Sequence, residues 1–271
     1  MFLRHRRQTP STSWPLAKIP QIKNKFVVVA HRGDHTAAPE NTLTALRNAK
    51  KCGADYMEID LRTTRDGRIV LMHDDDVDRM TDGKGPVASM TLKEIKALRV
   101  IDRRPNLPPD AVRTETVPTF EEALDAARRE RLLFYLDCKE IDPKQVLDLL
   151  VRYRMEKNVV VYDGVEGCRL WKKTTPDIPV MTSFPGSIRT PEALEEFWRR
   201  DSVEILDGGF SRYTPEMVVA AHSWGAVVWP DIQNPNERPA QWEVAVRMGV
   251  KGLQSDHPGA LVSYLKSVGK R

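Results

Sequence analysis

Tyr56-Met57-Glu58-Ile59-Asp60-Leu61-Arg62-Thr63-Thr64-Arg65-Asp66-Gly67-Arg68-Ile69-Val70-Leu71-Met72-His73 is the stretch whose reading decides the fold. Tyr56–Leu61 and Ile69–Met72 are apolar enough for strands, and the residues between them are too few for a helix. Asp66-Gly67 is a strong hairpin-turn pair. The second run is therefore expected to fold back antiparallel on the first. With Asp66-Gly67 as a two-residue loop, Thr63 should face Val70, Leu61 should face Met72, and Asp60 should face His73.

Outward from this hairpin, short apolar runs alternate with helical patterns. The remaining strand candidates are Phe26–Ala30, Leu132–Leu136, Val159–Tyr162, Pro179–Met181, Val203–Leu206, Ala226–Trp229 and Gly252–Gln254. Helices are expected over Thr42–Cys52, Phe120–Glu130, Pro143–Tyr153, Gly164–Lys173, Pro191–Arg200, Pro215–Trp224, Pro239–Met248 and Pro258–Val268. Several open on Pro, whose missing N–H costs nothing in a first turn. Thr119 with Glu122 forms a capping-box signature. Such alternation implies parallel strands joined by crossover helices. Nine runs less the hairpin return leave eight, a TIM (β/α)8 barrel with a short β-hairpin excursion after the second strand. Residues 101–118, rich in Pro, read as a loop or lid.

The composition is that of a soluble globular protein: 271 residues, 41% hydrophobic and 30% charged. No apolar run approaches the ~20 residues of a membrane span. The net charge of +4 is unevenly placed. Residues 1–25 carry Arg4, Arg6, Arg7, Lys18, Lys23 and Lys25 without an acid, so the remainder is slightly acidic. That balance argues against nucleic-acid binding and marks 1–25 as a basic, poorly ordered arm on a single domain, 26–271. Pro10-Ser11-Thr12-Ser13 stands where a signal peptide needs an apolar core. The expectation is a cytoplasmic protein, or a periplasmic or secreted one had a leader been removed. Cys52, Cys138 and Cys168 have no metal-type spacing.

Function is read at the strand ends. Phe26–Ala30 stops at His31-Arg32-Gly33, and Asn41 or Thr42 can cap the following helix. Glu58 and Asp60 are two apart on one strand and share a face, with His73 expected across from Asp60. Asp137 and Lys139 share a face at the end of the next barrel strand, with Cys138 turned away. Consecutive barrel strands deliver their carboxyl ends to one rim. Singly, each residue has an ordinary reading as a solvated face or a surface ion pair. Jointly, His31, Arg32, Glu58, Asp60, His73, Asp137 and Lys139 should converge. Three crowded carboxylates call for a hard divalent cation, Mg²⁺ or Ca²⁺. Arg32 and Lys139 then suit an anion, and two histidines suit general acid–base work. The chemistry expected of such a combination is phosphodiester hydrolysis.

These residues belong to longer matching stretches: Ala30-His31-Arg32-Gly33, Ala38-Pro39-Glu40-Asn41-Thr42, Gly53 to Asp60, His73-Asp74 leading to Arg79–Gly85, Pro118–Glu122, and Gly249–Asp256. Through them the chain resembles the glycerophosphodiester phosphodiesterase family. The resemblance implies a TIM-barrel metal-dependent hydrolase releasing sn-glycerol 3-phosphate and an alcohol. It implies His31 and His73 as the acid–base pair, Glu58 and Asp60 as metal ligands, and Arg32 and Lys139 near the phosphate. The family's third ligand is a Glu in Glu-x-Lys; here Asp137-Cys138-Lys139 is shorter by a methylene, as in related phospholipase D-like toxins. The family's Trp-Thr-x-Asn becomes Trp229-Pro230-Asp231, with Trp229 expected to wall the pocket. Glu40 reads as a carboxylate behind the ligands or at a helix start. The rival readings are a lysophospholipase D-type hydrolase and a non-catalytic phosphoester-binding barrel.

Overall fold

A computed structural model describes residues 16–20, 26–101, 115–139, 141–233 and 237–271. In chain order its elements are β1 (Val27–Ala30), α1 (Leu43–Cys52), β2 (Tyr56–Thr63), β3 (Ile69–Leu71), α2 (Leu92–Ala97), α3 (Phe120–Glu130), β4 (Leu133–Cys138) and α4 (Pro143–Tyr153). There follow β5 (Val159–Tyr162), α5 (Val165–Thr174), β6 (Val180–Ser183), α6 (Pro191–Arg200), β7 (Ile205–Asp207), α7 (Pro215–Ser223), β8 (Val227–Val228), α8 (Pro239–Met248), β9 (Gly252–Ser255) and α9 (Pro258–Ser267).

Helix starts follow the local chemistry. Thr42, Thr119, Thr190 and Thr214 each accept a backbone N–H at the N-cap, and Asp142 does so for α4. Pro opens α4, α6, α7, α8 and α9.

The sheet runs β8-β7-β6-β5-β4-β2-β1-β9, with every neighbouring pair parallel. A parallel bridge between Asp231 and Gln254 joins its two ends. This is the expected eight-stranded barrel, with β3 outside it and antiparallel to β2. Side chains alternate between two compartments. Val27, Val29, Tyr56, Tyr135, Val160, Met181, Ile205 and Trp229 fill the barrel interior. Met57, Ile59, Leu61 and Cys138 point the other way, into the core beneath the helices.

The hairpin differs from expectation by one residue. Leu61 pairs with Leu71 and Thr63 with Ile69. The Thr64 amide donates to the Arg68 carbonyl at 2.8 Å, and left-handed Gly67 (φ 73°) closes a three-residue loop. Asp60 consequently lies opposite Met72, whose N–H donates to its carbonyl at 3.0 Å. His73 falls just past the paired strand.

The excursion is also larger than a hairpin. Val70, Met72, Val77, Met80, Val87, Ile95, Val100 and Val117 form a separate small core. It includes the unexpected α2, started by a capping box between Thr91 and Glu94. Most of the expected 101–118 loop, 102–114, lies outside the described residues.

Of the N-terminal arm, residues 16–20 are described, and they lie against the barrel end where the strands begin. Tyr56 Oη donates to the Pro20 carbonyl at 3.2 Å, and the Ala17 amide donates to Glu204 at 2.6 Å. No helix among the described residues is long and apolar enough to cross a membrane.

Candidate active site

The carboxyl ends of β1, β2, β4 and β9 bring most of the expected residues together. Asp60 and Asp137 are register partners on adjacent parallel strands, with Glu58 one pleat below. One oxygen from each of Glu58, Asp60 and Asp137 lies within 4.8 Å of the others. Glu58 and Asp60 are buried, at 3% and 1% exposure, whereas Asp137 keeps some access to solvent.

Burial, followed by the fields of Asp60 and Asp137, pushes the Glu58 carboxyl well above its ordinary range. Burial also raises Asp137, although Lys139 and His73 oppose it. Lys139 Nζ stands 2.5 Å from Asp137 Oδ2 and 3.4 Å from Asp60 Oδ1, partly neutralising the trio. A divalent ion matches this donor set. Three acidic oxygens from rigid strands are the ligands that hard cations take, and Glu58, raised by burial and then by Asp60 and Asp137, is a carboxyl that such an ion would hold ionised.

Gly33 and Arg32 explain how β1 delivers its end to this cluster. Both have left-handed backbones, with φ of 87° and 52°. The turn aims the Arg32 N–H at Glu58 Oε2, 2.7 Å away. A Cβ on Gly33 would stand 2.7 Å from the Ala45 Cβ and 2.9 Å from Met57 Cε. Glycine alone fits there.

The Arg32 guanidinium donates to Glu40 at 2.9 Å and places Nε 3.4 Å from Asp60. Glu40 also accepts from Arg79 at 2.7 Å. Burial acts to raise Glu40, but Arg79 and Arg32 outweigh it and hold its pKa at about 2. Glu40 therefore orders cations behind the trio rather than joining it.

Each expected catalytic histidine is backed by a carboxylate. His31 Nδ1 lies 2.7 Å from Asp256 Oδ1, and His73 Nδ1 lies 2.8 Å from Asp74 Oδ1. Those contacts assign the proton to Nδ1 and leave Nε2 of each ring as the exchanging nitrogen. Arg79 binds Asp74 at 2.7 Å and, with His73, holds it at about 2. Despite the shifted hairpin, His73 remains within electrostatic reach of Asp137. The shift instead leaves its carbonyl to Arg62, whose Nη2 donates at 2.7 Å.

Trp229 does not wall this site. It is 3% exposed and fills the barrel interior at the level of the strand starts, 5.2 Å ring to ring from Tyr56. The altered segment after β8 instead puts Asp231 near the rim, within electrostatic reach of His31 and hydrogen-bonded to buried Asp207.

Sequence reasoning missed Asn41 as anything but a cap; Thr42 caps α1, while Asn41 grips Asp60. It also missed Asp256 as a partner of His31. Its position immediately after β9, on the same rim as His31, was the available signal.

The model of the glycerophosphoryl diester phosphodiesterase family matches residues 31–260. The chain belongs to that family. It is 27% identical over 253 residues to the glycerophosphodiester phosphodiesterase of Caldanaerobacter subterraneus subsp. tengcongensis, covering 90% of this chain and 100% of the relative. It is 43% identical over 242 residues to Bacillus subtilis YhdW, covering 87% and 96% of the two chains. A crystal structure from Silicibacter pomeroyi DSS-3 superposes with a TM-score of 0.78 at 25% identity, over 92% of this chain and 96% of that one. The site geometry thus sits in the fold and family that the strand-end residues implied.

Proposed function

We propose that the protein hydrolyses glycerophosphodiesters to sn-glycerol 3-phosphate and an alcohol. The observation that carries this reading is the meeting of Glu58, Asp60 and Asp137 at a rim that also bears two carboxylate-backed imidazoles. Membership of the family and the activity in the Caldanaerobacter relative's name support it.

Glu58, Asp60 and Asp137 would hold one Mg²⁺ or Ca²⁺, which when bound polarises a phosphoryl oxygen and offsets its charge. Lys139, already on Asp137 and Asp60, is the side chain placed to face a phosphate anion at the rim. Arg32 anchors Glu58 through its N–H and balances Asp60 through its guanidinium.

One imidazole accepts at Nε2 the proton of the attacking hydroxyl, from water or the substrate's neighbouring glycerol hydroxyl. The other donates from Nε2 to the departing alkoxide. Asp256 and Asp74 keep the Nδ1 protons in place and stabilise whichever ring is cationic, so both are fixed through the cycle.

The test uses chelator-stripped protein, resupplied with Mg²⁺ or Ca²⁺, on glycerophosphocholine, glycerophosphoethanolamine and lysophosphatidylcholine. Release of sn-glycerol 3-phosphate, dependent on added ion, is the expected result. Lysophosphatidic acid alone would replace the reading with a lysophospholipase D, and no product from any substrate would overturn it.

A further inference from the structure

The rim carries a second ligand cluster of different chemistry. His35, on the turn after Gly33, points Nε2 at Asp256 Oδ1 from 3.1 Å, the same oxygen that His31 Nδ1 approaches to 2.7 Å. The two rings meet edge to face, with centroids 6.1 Å apart. One ring nitrogen from each of His31 and His35 and one Asp256 oxygen all lie within 4.8 Å of one another. The three side chains are 17%, 14% and 26% exposed, so the cluster is ordered yet open to solvent.

Two imidazole nitrogens and one carboxylate oxygen form a borderline donor set, unlike the all-oxygen trio of Glu58, Asp60 and Asp137. A tetrahedral ion bonded at about 2.0–2.1 Å keeps its ligands about 3.3–3.4 Å apart. To accept one, the His35 contact to Asp256 opens by about 0.2–0.3 Å and the His31 contact by about 0.6–0.7 Å. Burial acts to raise the Asp256 carboxyl, but the two imidazoles outweigh it and keep it ionised, the form a metal requires.

We propose that His31, His35 and Asp256 form an inhibitory site for a borderline divalent transition-metal ion, Zn²⁺ foremost, separate from the hard-cation site. Coordination through Nδ1 takes the lone pair of His31 there and moves its ring proton to Nε2. The proton is redistributed within the neutral ring, so atoms and charge balance without a co-reactant. His31 Nε2 then has no lone pair with which to accept a proton, and turnover stops. This consequence rests on the acid–base role proposed above for His31; the binding site itself does not.

The test adds Zn²⁺ to protein saturated with Mg²⁺, assays glycerophosphoethanolamine hydrolysis, and in parallel records the visible absorption of added Co²⁺. His35→Gln keeps a hydrogen-bond donor for Asp256 but removes the imidazole ligand, and His35→Ala removes both. Both variants should keep basal turnover within about two-fold, raise the half-inhibitory Zn²⁺ concentration at least about ten-fold, and lose the Co²⁺ band. Unchanged Zn²⁺ sensitivity and Co²⁺ spectra in both variants would overturn the proposal. So would inhibition relieved by excess Mg²⁺, which would place Zn²⁺ on the acidic trio. If no substrate is turned over, the Co²⁺ band and its loss in the variants still decide the site.

Discussion

Asn41 grips Asp60 from two sides. Its Nδ2 donates to Asp60 Oδ2 at 2.8 Å, and the Asp60 N–H donates to Asn41 Oδ1 at 3.2 Å. Asn41 is itself left-handed (φ 56°) and buried, a backbone state that Asn tolerates better than most residues. One amide thus fixes the rotamer of a ligand carboxylate. Asn41→Ala should weaken Mg²⁺ or Ca²⁺ binding about 10–100-fold. Titration calorimetry on the folded variant checks this; unchanged affinity would reduce Asn41 to a loop residue.

His31→Ala and His73→Ala should each lower kcat by about 10²–10⁴-fold while the protein stays folded. Steady-state kinetics with far-UV circular dichroism separates chemistry from collapse. Full activity in both variants would remove the acid–base assignment.

Glu58 makes stability depend on pH and on the ion together. Its pKa is raised in the fold, so above its ordinary value of 4.5 the native state binds more protons than the unfolded chain. Without an ion, that group lowers stability as pH rises toward its folded pKa. Added Mg²⁺ or Ca²⁺ removes the penalty, so the ion-induced rise in Tm should be larger at pH 7.5 than at pH about 5. Thermal scans with and without chelator measure it, and a rise independent of pH would contradict the account.

Glu40 and Asp74 act in the opposite direction. Both are held at about 2, below their ordinary values of 4.5 and 3.8. Their contribution is complete above about pH 4.5 and is lost as pH falls toward 2. Arg79, the shared partner, is 45% exposed, so screening limits the effect to about 1–2 kcal/mol. Arg79→Ala should flatten the urea-measured stability profile between pH 6 and 3. An unchanged slope would sink this assignment.

Far from the rim, Lys172 and Glu204 form an ion pair in which each side chain is 2% exposed. Glu204 also accepts the Val180 amide at 2.8 Å. Lys172→Met strands the buried carboxylate and should cost about 3–5 kcal/mol in urea unfolding. Lys172→Met with Glu204→Gln should recover part of that loss.

Much of the site was legible because a barrel turns strand ends into neighbours. Once Tyr56–Leu61 and Leu132–Leu136 were adjacent parallel strands, Glu58, Asp60 and Asp137 had to meet, and their alternation excluded Met57, Ile59 and Cys138. The hairpin register was not legible. Asp66-Gly67 fits a two-residue loop or the last two positions of a three-residue loop, and strand propensity does not distinguish them. α2 was signalled by Thr91 and Glu94, but its six residues are too few to show a helical period. Trp229 was misplaced because its depth in the barrel depends on strand stagger, which no local pattern records.

The sequence by itself determined the order and type of the elements, the face each strand residue takes, and the acids and histidines available at the rim. These follow from side-chain periodicity and capping, which act over a few residues. Tertiary structure alone decided which partner each charge finds: Asp256 for His31, Asp74 for His73, Asn41 for Asp60, and Arg79 for Glu40. A hydrogen bond needs its atoms about 3 Å apart, and only the closed barrel brings residue 31 that close to residue 256.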